Sequence, residues 1–400
     1  MILLLFPPLA VLASEQGTVQ EETESDTSPE TEQETREANQ VAAEVSAPHA
    51  ILIEVSTGTV LMEKAADEQL HPASVTKIMT MLLILEALEE GKISLSDVVT
   101  VSENAAGMGG SQVYLEPYEQ QTVETLLKCI AVASANDACV AMAEYISGSE
   151  GDFVKQMNAR AEELGMTNTH FVNSCGLDDD AHLTTARDVA LMSREILLNH
   201  PEIHDYCTIW MENITHTTAK GSFEFGLTNT NKLIRQYEYA TGLKTGYTSV
   251  AGFCVPASAK KDDIELVAVI MGGADSKSRF QDAITLLNSG FACCSLYRDT
   301  ERLALPAVPV RGGVEESVEL AYAEDFSYVS TDGSSLAEVG RALELPEEMG
   351  APVEENEQVG RIVYTLDGRE IGSVALLAAA GVEKADFSDY LFRAGKILLL

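Results

Sequence analysis

Two short apolar runs, Ala50-Ile51-Leu52-Ile53-Glu54-Val55 and Thr59-Val60-Leu61-Met62, flank Ser56-Thr57-Gly58, a pattern that predicts a β-hairpin with a glycine-containing turn. Pro72-Ala73-Ser74-Val75-Thr76-Lys77-Ile78-Met79-Thr80 then leads into a strongly apolar helix ending near residue 90. Helical periodicity returns over residues 122–147, broken only at Ser134-Ala135-Asn136, and again over about 151–164 and 184–198, where Asn199-His200-Pro201 ends it. From residue 209 the pattern changes to strand-length runs at 209–216, 222–227, 240–248, 252–260 and 264–271, followed by a helix expected from 276 to about 297. Pro256 has no N–H for a ladder and predicts an irregularity in its strand. Early strands, a helical block, antiparallel-type strands and a closing helix describe an α+β domain with helices packed on a sheet, expected over residues 47–300.

At Leu305-Pro306-Ala307-Val308-Pro309 the composition shifts. Alternating segments at 317–322, 326–329, 360–366 and 371–377, with Asp332-Gly333 and Asp367-Gly368 turns, predict a small all-β domain over 305–385. In the stretch 386–400, Phe387, Tyr390, Leu391, Ala394, Ile397 and Leu398 share one helical face, which fits an interfacial membrane-contacting helix or one docked on the protein's own surface. Fifteen residues are too few to span a bilayer. Residues 1–13 are apolar and Val11-Leu12-Ala13 resembles a small-residue cleavage site, so an atypical signal peptide is expected, lacking a basic start and interrupted by Pro7-Pro8. Residues 14–46 hold ten acidic residues and one basic residue, a composition that cannot bury a core and is expected to form a disordered acidic linker.

The formal charge of −37 argues against nucleic acid as a partner, because no basic stripe is present to neutralise phosphates. Seven cysteines mostly interrupt apolar runs and form no C-x-x-C pair, which reads as buried thiols, with room for one disulfide. The seven histidines, His71, His170 and His182 among them, read as structural or exposed, and no metal or cofactor is expected.

Three motifs carry chemistry. Ser74 and Lys77 are three residues apart, one helical turn, so a hydroxyl and its activating amine point the same way. A helix start at Ser74 would also turn unpaired N–H groups and the dipole toward developing negative charge. Ser134-Ala135-Asn136 stands at a helix junction and Lys244-Thr245-Gly246 in a strand-like stretch. Each alone has an ordinary structural explanation, a solvated helix face, a helix cap or a strand end. Together and in this order they form the S-x-x-K, S-x-N and K-T-G set of penicillin-binding proteins and class A β-lactamases.

From residue 50 to 385 the chain closely resembles the serine-type D-alanyl-D-alanine carboxypeptidases, the low-molecular-mass penicillin-binding proteins of peptidase family S11. The likeness lies in residues 72–80, in Ser134-Ala135-Asn136-Asp137-Ala138, in Gly242-Leu243-Lys244-Thr245-Gly246-Tyr247-Thr248, and in the stretch from Thr169-His170-Phe171 through Gly176-Leu177 to Thr185-Ala186-Arg187-Asp188. The resemblance implies a β-lactamase/transpeptidase-like domain followed by the β-rich one. It implies a substrate, the peptidoglycan stem peptide ending in D-Ala-D-Ala, and acylation by β-lactams. It further implies Ser74 as nucleophile, Lys77 as general base, Ser134 as proton relay, and Asn136 as a holder of Lys77 or the substrate amide. Lys244, Thr245 and Arg279 would bind the terminal carboxylate, Gly246 would let substrate lie along the strand edge, and the Tyr247 N–H would join that of Ser74 in an oxyanion hole. The family context implies an exported protein at the outer face of the cytoplasmic membrane.

Two alternatives stay open from sequence. Glu195-Ile196-Leu197-Leu198-Asn199 superficially resembles the E-x-x-L-N signature of a β-lactamase, although the apolar spacing of Val189, Met192 and Ile196 already explains that helix. A non-enzymatic penicillin-binding sensor could keep Ser74 and not deacylate.

Overall fold

The computed structural model describes residues 43–218 and 220–398, so the expected signal segment at 1–13 and the linker from 14 to 42 lie outside the described residues. Strands β1 (His49–Glu54) and β2 (Val60–Lys64) form the expected hairpin. Its turn is held by the Glu54 carboxylate, which accepts from the Ser56 and Thr57 amides, and by Gly58 at φ 74°. A 3₁₀ turn, Ala73–Thr76, runs into α1 (Lys77–Glu89), followed by α2 (Val123–Ala133), α3 (Asn136–Ser147), α4 (Glu150–Glu163) and α5 (Ala186–Asn199). Thr122, Ser149 and Thr185 cap α2, α4 and α5 by accepting the amides of Thr125, Asp152 and Asp188. The hairpin β3 (Met211–Thr218) and β4 (Gly221–Thr228) follows, then β5 (Ala240–Leu243), β6 (Gly246–Thr248), β7 (Gly252–Lys261), β8 (Ile264–Gly273) and the closing helix α6 (Ser276–Cys293).

The main sheet is antiparallel, with strand order β2-β1-β8-β7-β5 and β6 paired to β7. Both of its faces are covered. Ile51 and Ile53 face the core made with α1 to α5, whereas Ala50 and Leu52 face α6 with Phe280, Ala283 and Leu286. This double burial explains why β1 and β8 read as continuous apolar runs rather than alternating ones.

Several expectations are corrected. Residues 43–46 are not free spacer: Val45 is buried, and the Ser46 and Ala47 amides both donate to the Asp282 carboxylate at 3.0 and 2.9 Å. The helix expected to reach residue 297 ends at Cys293, and Ser295–Arg298 is a strand paired with Ser327–Ser330. Its neighbouring residues serve different cores, Leu296 against the α6 cluster and Tyr297 against Tyr364 and Phe326, which only a period of two permits.

The C-terminal part is all-β apart from a short 3₁₀ turn and the tail. A sheet in the order Leu320–Tyr322, Arg369–Ala378, Gln358–Leu366, Gly340–Glu344 carries its core, and a smaller one centres on Val308–Arg311. Asp367 and Gly368, at φ 51° and 78°, make the two-residue hairpin turn read from sequence. The tail forms α7 (Phe387–Leu398), on which Phe387, Tyr390, Leu391 and Phe392 are exposed. Among the described residues no helix is long and apolar enough to cross a membrane.

Candidate active site

The nucleophile turn is a strained, closely packed piece of backbone. Ala73 sits at φ 49°, and Gly176 lies so near that a Cβ there would fall 1.8 Å from the Ala73 carbonyl oxygen. Half-buried Ser74 follows, with fully buried Lys77 one turn on. Lys77 Nζ lies 3.2 Å from Ser74 Oγ, 2.7 Å from Asn136 Oδ1 and 2.6 Å from the Cys175 carbonyl oxygen. In the deprotonated form that acts as a base, the Lys77 amine has two N–H groups, which Asn136 and Cys175 can take, and its lone pair is left for the Ser74 proton. Inside the turn the hydroxyl of Thr76 meets His182 Nε2 at 2.8 Å, while His182 Nδ1 accepts the Val172 amide at 3.0 Å. The backbone donor assigns the hydrogen to Nε2, so buried His182 is neutral and donates to Thr76. Burial pushes the His182 imidazolium down to about 4.

Ser134 closes α2 in the left-handed conformation, φ 61°, with the Ala135 amide reaching back to the Cys129 carbonyl at 3.1 Å. The helix thus ends on a left-handed serine, where glycine is usual. Its hydroxyl is buried and has no hydrogen-bond partner. Asn136 then begins α3; its amide donates to the Ser111 carbonyl and Nδ2 to the Gly109 carbonyl, at 2.7 and 2.8 Å.

Opposite stands the strand carrying Lys244, Thr245, Gly246 and Tyr247. Pro256 pairs in register with Val269 of β8, so the irregularity falls on its other side. Lys244 donates its amide to the Pro256 carbonyl at 3.4 Å, but Pro256 cannot return the bond, and the ladder is interrupted between β5 and β6. Alternation along the pair turns the main-chain groups of Thr245 and Tyr247 away from β7, toward an edge that a peptide can extend. Gly246 meets the nucleophile turn: a Cβ there would lie 3.0 Å from the Pro72 carbonyl oxygen and 3.2 Å from the Ala73 Cβ.

The Lys244 ammonium is fully buried, and burial together with the Lys77 charge pushes it down to about 7. The Thr245 hydroxyl donates to that of Thr230 at 2.9 Å. Tyr247 is exposed and stacks on Phe253 at 4.3 Å. Arg279 lies beneath this strand, its Nη1 committed to the Gly246 and Cys254 carbonyls at 2.9 and 3.1 Å and its guanidinium over Phe253 and Phe280. Arg279 therefore braces Gly246 against the neighbouring strand at Cys254.

The residues named from sequence thus meet on two walls, one built from the turn and α3, the other from β6. A family model described as D-alanyl-D-alanine carboxypeptidase matches residues 33–275, and one described as penicillin-binding protein 5, C-terminal domain, matches residues 303–384. The chain belongs to the D-alanyl-D-alanine carboxypeptidase family. It is 41% identical over 350 residues to the D-alanyl-D-alanine carboxypeptidase DacF of Bacillus subtilis, covering 87% of this chain and 88% of the relative. With DacC of Escherichia coli it shares 34% identity over 356 residues, 86% of each. Among solved structures, penicillin binding protein 5 of Haemophilus influenzae superposes with a TM-score of 0.66 at 31% identity, over 85% of this chain and 98% of that one.

In this carboxypeptidase the β-lactamase-like signature is elsewhere. Glu195 pairs with Arg160 at 2.5 Å, and Arg160 also binds Glu86 at 2.8 Å. Glu86 is nine residues beyond Lys77 along α1, about 14 Å of helix. Sequence reasoning missed the Cys175 carbonyl and Thr230. The first is a main-chain atom with no residue-type signal, and the second is an isolated threonine placed only by the fold. Sequence places His182 only among the structural or exposed histidines, because spacing carries no sign of its position behind Thr76. All seven cysteines are free thiols, and only Cys293 is not fully buried.

Proposed function

We propose that the chain removes the terminal D-alanine from peptidoglycan pentapeptide stems through a Ser74 acyl-enzyme, and that β-lactams acylate the same serine. The observation that carries this reading is the amine at Lys77, held by Asn136 and the Cys175 carbonyl with its remaining valence on Ser74 Oγ. Lys77 takes the Ser74 proton as Oγ bonds to the carbonyl carbon of the penultimate D-alanine. The oxygen that gains charge lies between the Ser74 and Tyr247 amides. The Ser134 hydroxyl, buried without a hydrogen-bond partner, gives its proton to the departing amine as the C–N bond breaks and takes in its place the proton that Lys77 received from Ser74. Lys244 and Thr245 bind the substrate's carboxylate, Gly246 keeps the strand edge open to the peptide, and Arg279 keeps that strand in place. Water then cleaves the ester.

The test is the intact mass of the protein lacking its first 42 residues after brief exposure to a penicillin, with D-alanine release from a pentapeptide followed in parallel. A single adduct lost in Ser74→Ala, with D-alanine released by the native protein only, is expected. An adduct without D-alanine release would identify a sensor, and rapid penicillin turnover without an adduct a β-lactamase; either would defeat the proposal. The protein is further proposed to work outside the cytoplasm, with the exposed aromatic side chains of α7 touching the membrane surface.

A further inference from the structure

Tyr114 occupies a backbone region that bulky residues avoid, φ 63°, and 63% of its surface is exposed. What holds it there is on either side. The Val113 and Leu115 amides each donate to Oδ2 of buried Asp137 at 3.1 Å, and Asp137 follows Asn136, the partner of Lys77. The loop that braces the nucleophile's base therefore pushes one aromatic ring outward. Strain held in this way at a site rim points to use of the side chain.

The ring does not stand alone. Tyr114 meets Phe225 of β4 edge-on at 6.0 Å, Phe225 meets His216 of β3 at 5.6 Å, and His216 stacks on half-exposed Phe223 at 4.8 Å. His216 is itself fixed by the buried Glu119 carboxylate, 2.8 Å from Nδ1. The β3–β4 hairpin leads into Thr230, whose hydroxyl accepts from Thr245. The aromatic row thus starts at the wall holding Asn136 and is anchored through the hairpin to the wall holding Thr245.

Charge and reach decide what fits it. A chain of net charge −37 repels polyanions, whereas the apolar faces of neutral, N-acetylated sugar rings stack on aromatic rings without that penalty. The stem peptide hangs from such a sugar, and three residues separate the sugar from the alanine attacked, a span of about 10 Å. The row begins between the two residues whose amides Asp137 holds, next in sequence to Asn136.

We propose that the exposed rings of Tyr114 and Phe223, seated on half-buried Phe225 and buried His216, form a docking track for the neutral amino-sugar rings of the glycan strand, so that the enzyme prefers glycan-borne stems to free peptides. This inference rests on the carboxypeptidase reading. Its test compares D-alanine release from a pentapeptide carrying its disaccharide with release from the same pentapeptide without it. In the native protein kcat/KM is expected to favour the disaccharide form about three- to tenfold, the range of one aromatic contact. Tyr114→Gly, which keeps the left-handed backbone and deletes the ring, and Phe223→Ala should bring the ratio near one. A native ratio near one, a ratio that neither variant changes, or a parallel loss on both substrates overturns the inference and leaves the row to packing or to a protein partner. Penicillin acylation separates the two failures: a normal adduct with a ratio near one defeats this inference alone, and no adduct defeats the carboxypeptidase reading with it.

Discussion

Burial and the Lys77 charge bring the Lys244 ammonium down to about 7, so it is only partly charged at neutral pH. A carboxylate-binding lysine is needed in its charged form, which is lost as pH rises through that value. The affinity for peptides ending in a free D-alanine carboxylate, read from 1/KM, is expected to fall roughly tenfold or more between pH 6.5 and 8.5. A flat profile would mean that Lys244 does not bind the carboxylate. At Gly176 the constraint is steric, because the Cβ of an alanine would enter the Ala73 carbonyl while holding φ at 86°. Gly176→Ala is expected to destabilise the protein by about 2 kcal/mol or more and to slow Ser74 acylation about a hundredfold. Thermal unfolding and the rate of penicillin adduct formation measure the two effects. The spacing of Ser74 and Lys77 is visible in the sequence; the two acceptors that hold the amine are not, since one is a carbonyl 98 residues away.

At the scale of elements, His182 joins the 3₁₀ turn to the segment that precedes α5. Its folded value of about 4 lies below that of the unfolded chain, about 6.5. Between those values the unfolded chain binds more protons, so stability contributed by neutral His182 is present above pH 6.5 and is lost as pH falls toward 4. His182→Asn keeps an acceptor for the Val172 amide and cannot be protonated. Its unfolding free energy is expected to decline less than that of the native protein over this window, by up to about 3 kcal/mol, in urea titrations at pH 6.5 and 4. Equal declines would show that His182 titrates normally. Periodicity was enough to place α1 to α5, but not to end α6 at Cys293, because Leu296 and Tyr297 continue an apolar run while serving two different cores.

At the scale of the whole molecule, α7 ends the described chain with Phe387 82% and Phe392 80% exposed. Exposure on this scale fits the proposed membrane contact better than docking on the protein's own surface. Removing residues 386–400 is expected to abolish co-flotation with phospholipid vesicles and to leave penicillin acylation unchanged; flotation that survives the deletion would place the contact elsewhere. The sequence by itself determined the α+β class, the all-β C-terminal part and the order of the three motifs, because apolar period and short-range spacing are local properties of the chain. Only the tertiary structure decided which groups hold Lys77, that burial lowers the Lys244 ammonium, where the Pro256 gap falls, and that Arg279 braces the strand. Each of these depends on burial or on atoms distant in sequence, and no local pattern encodes either.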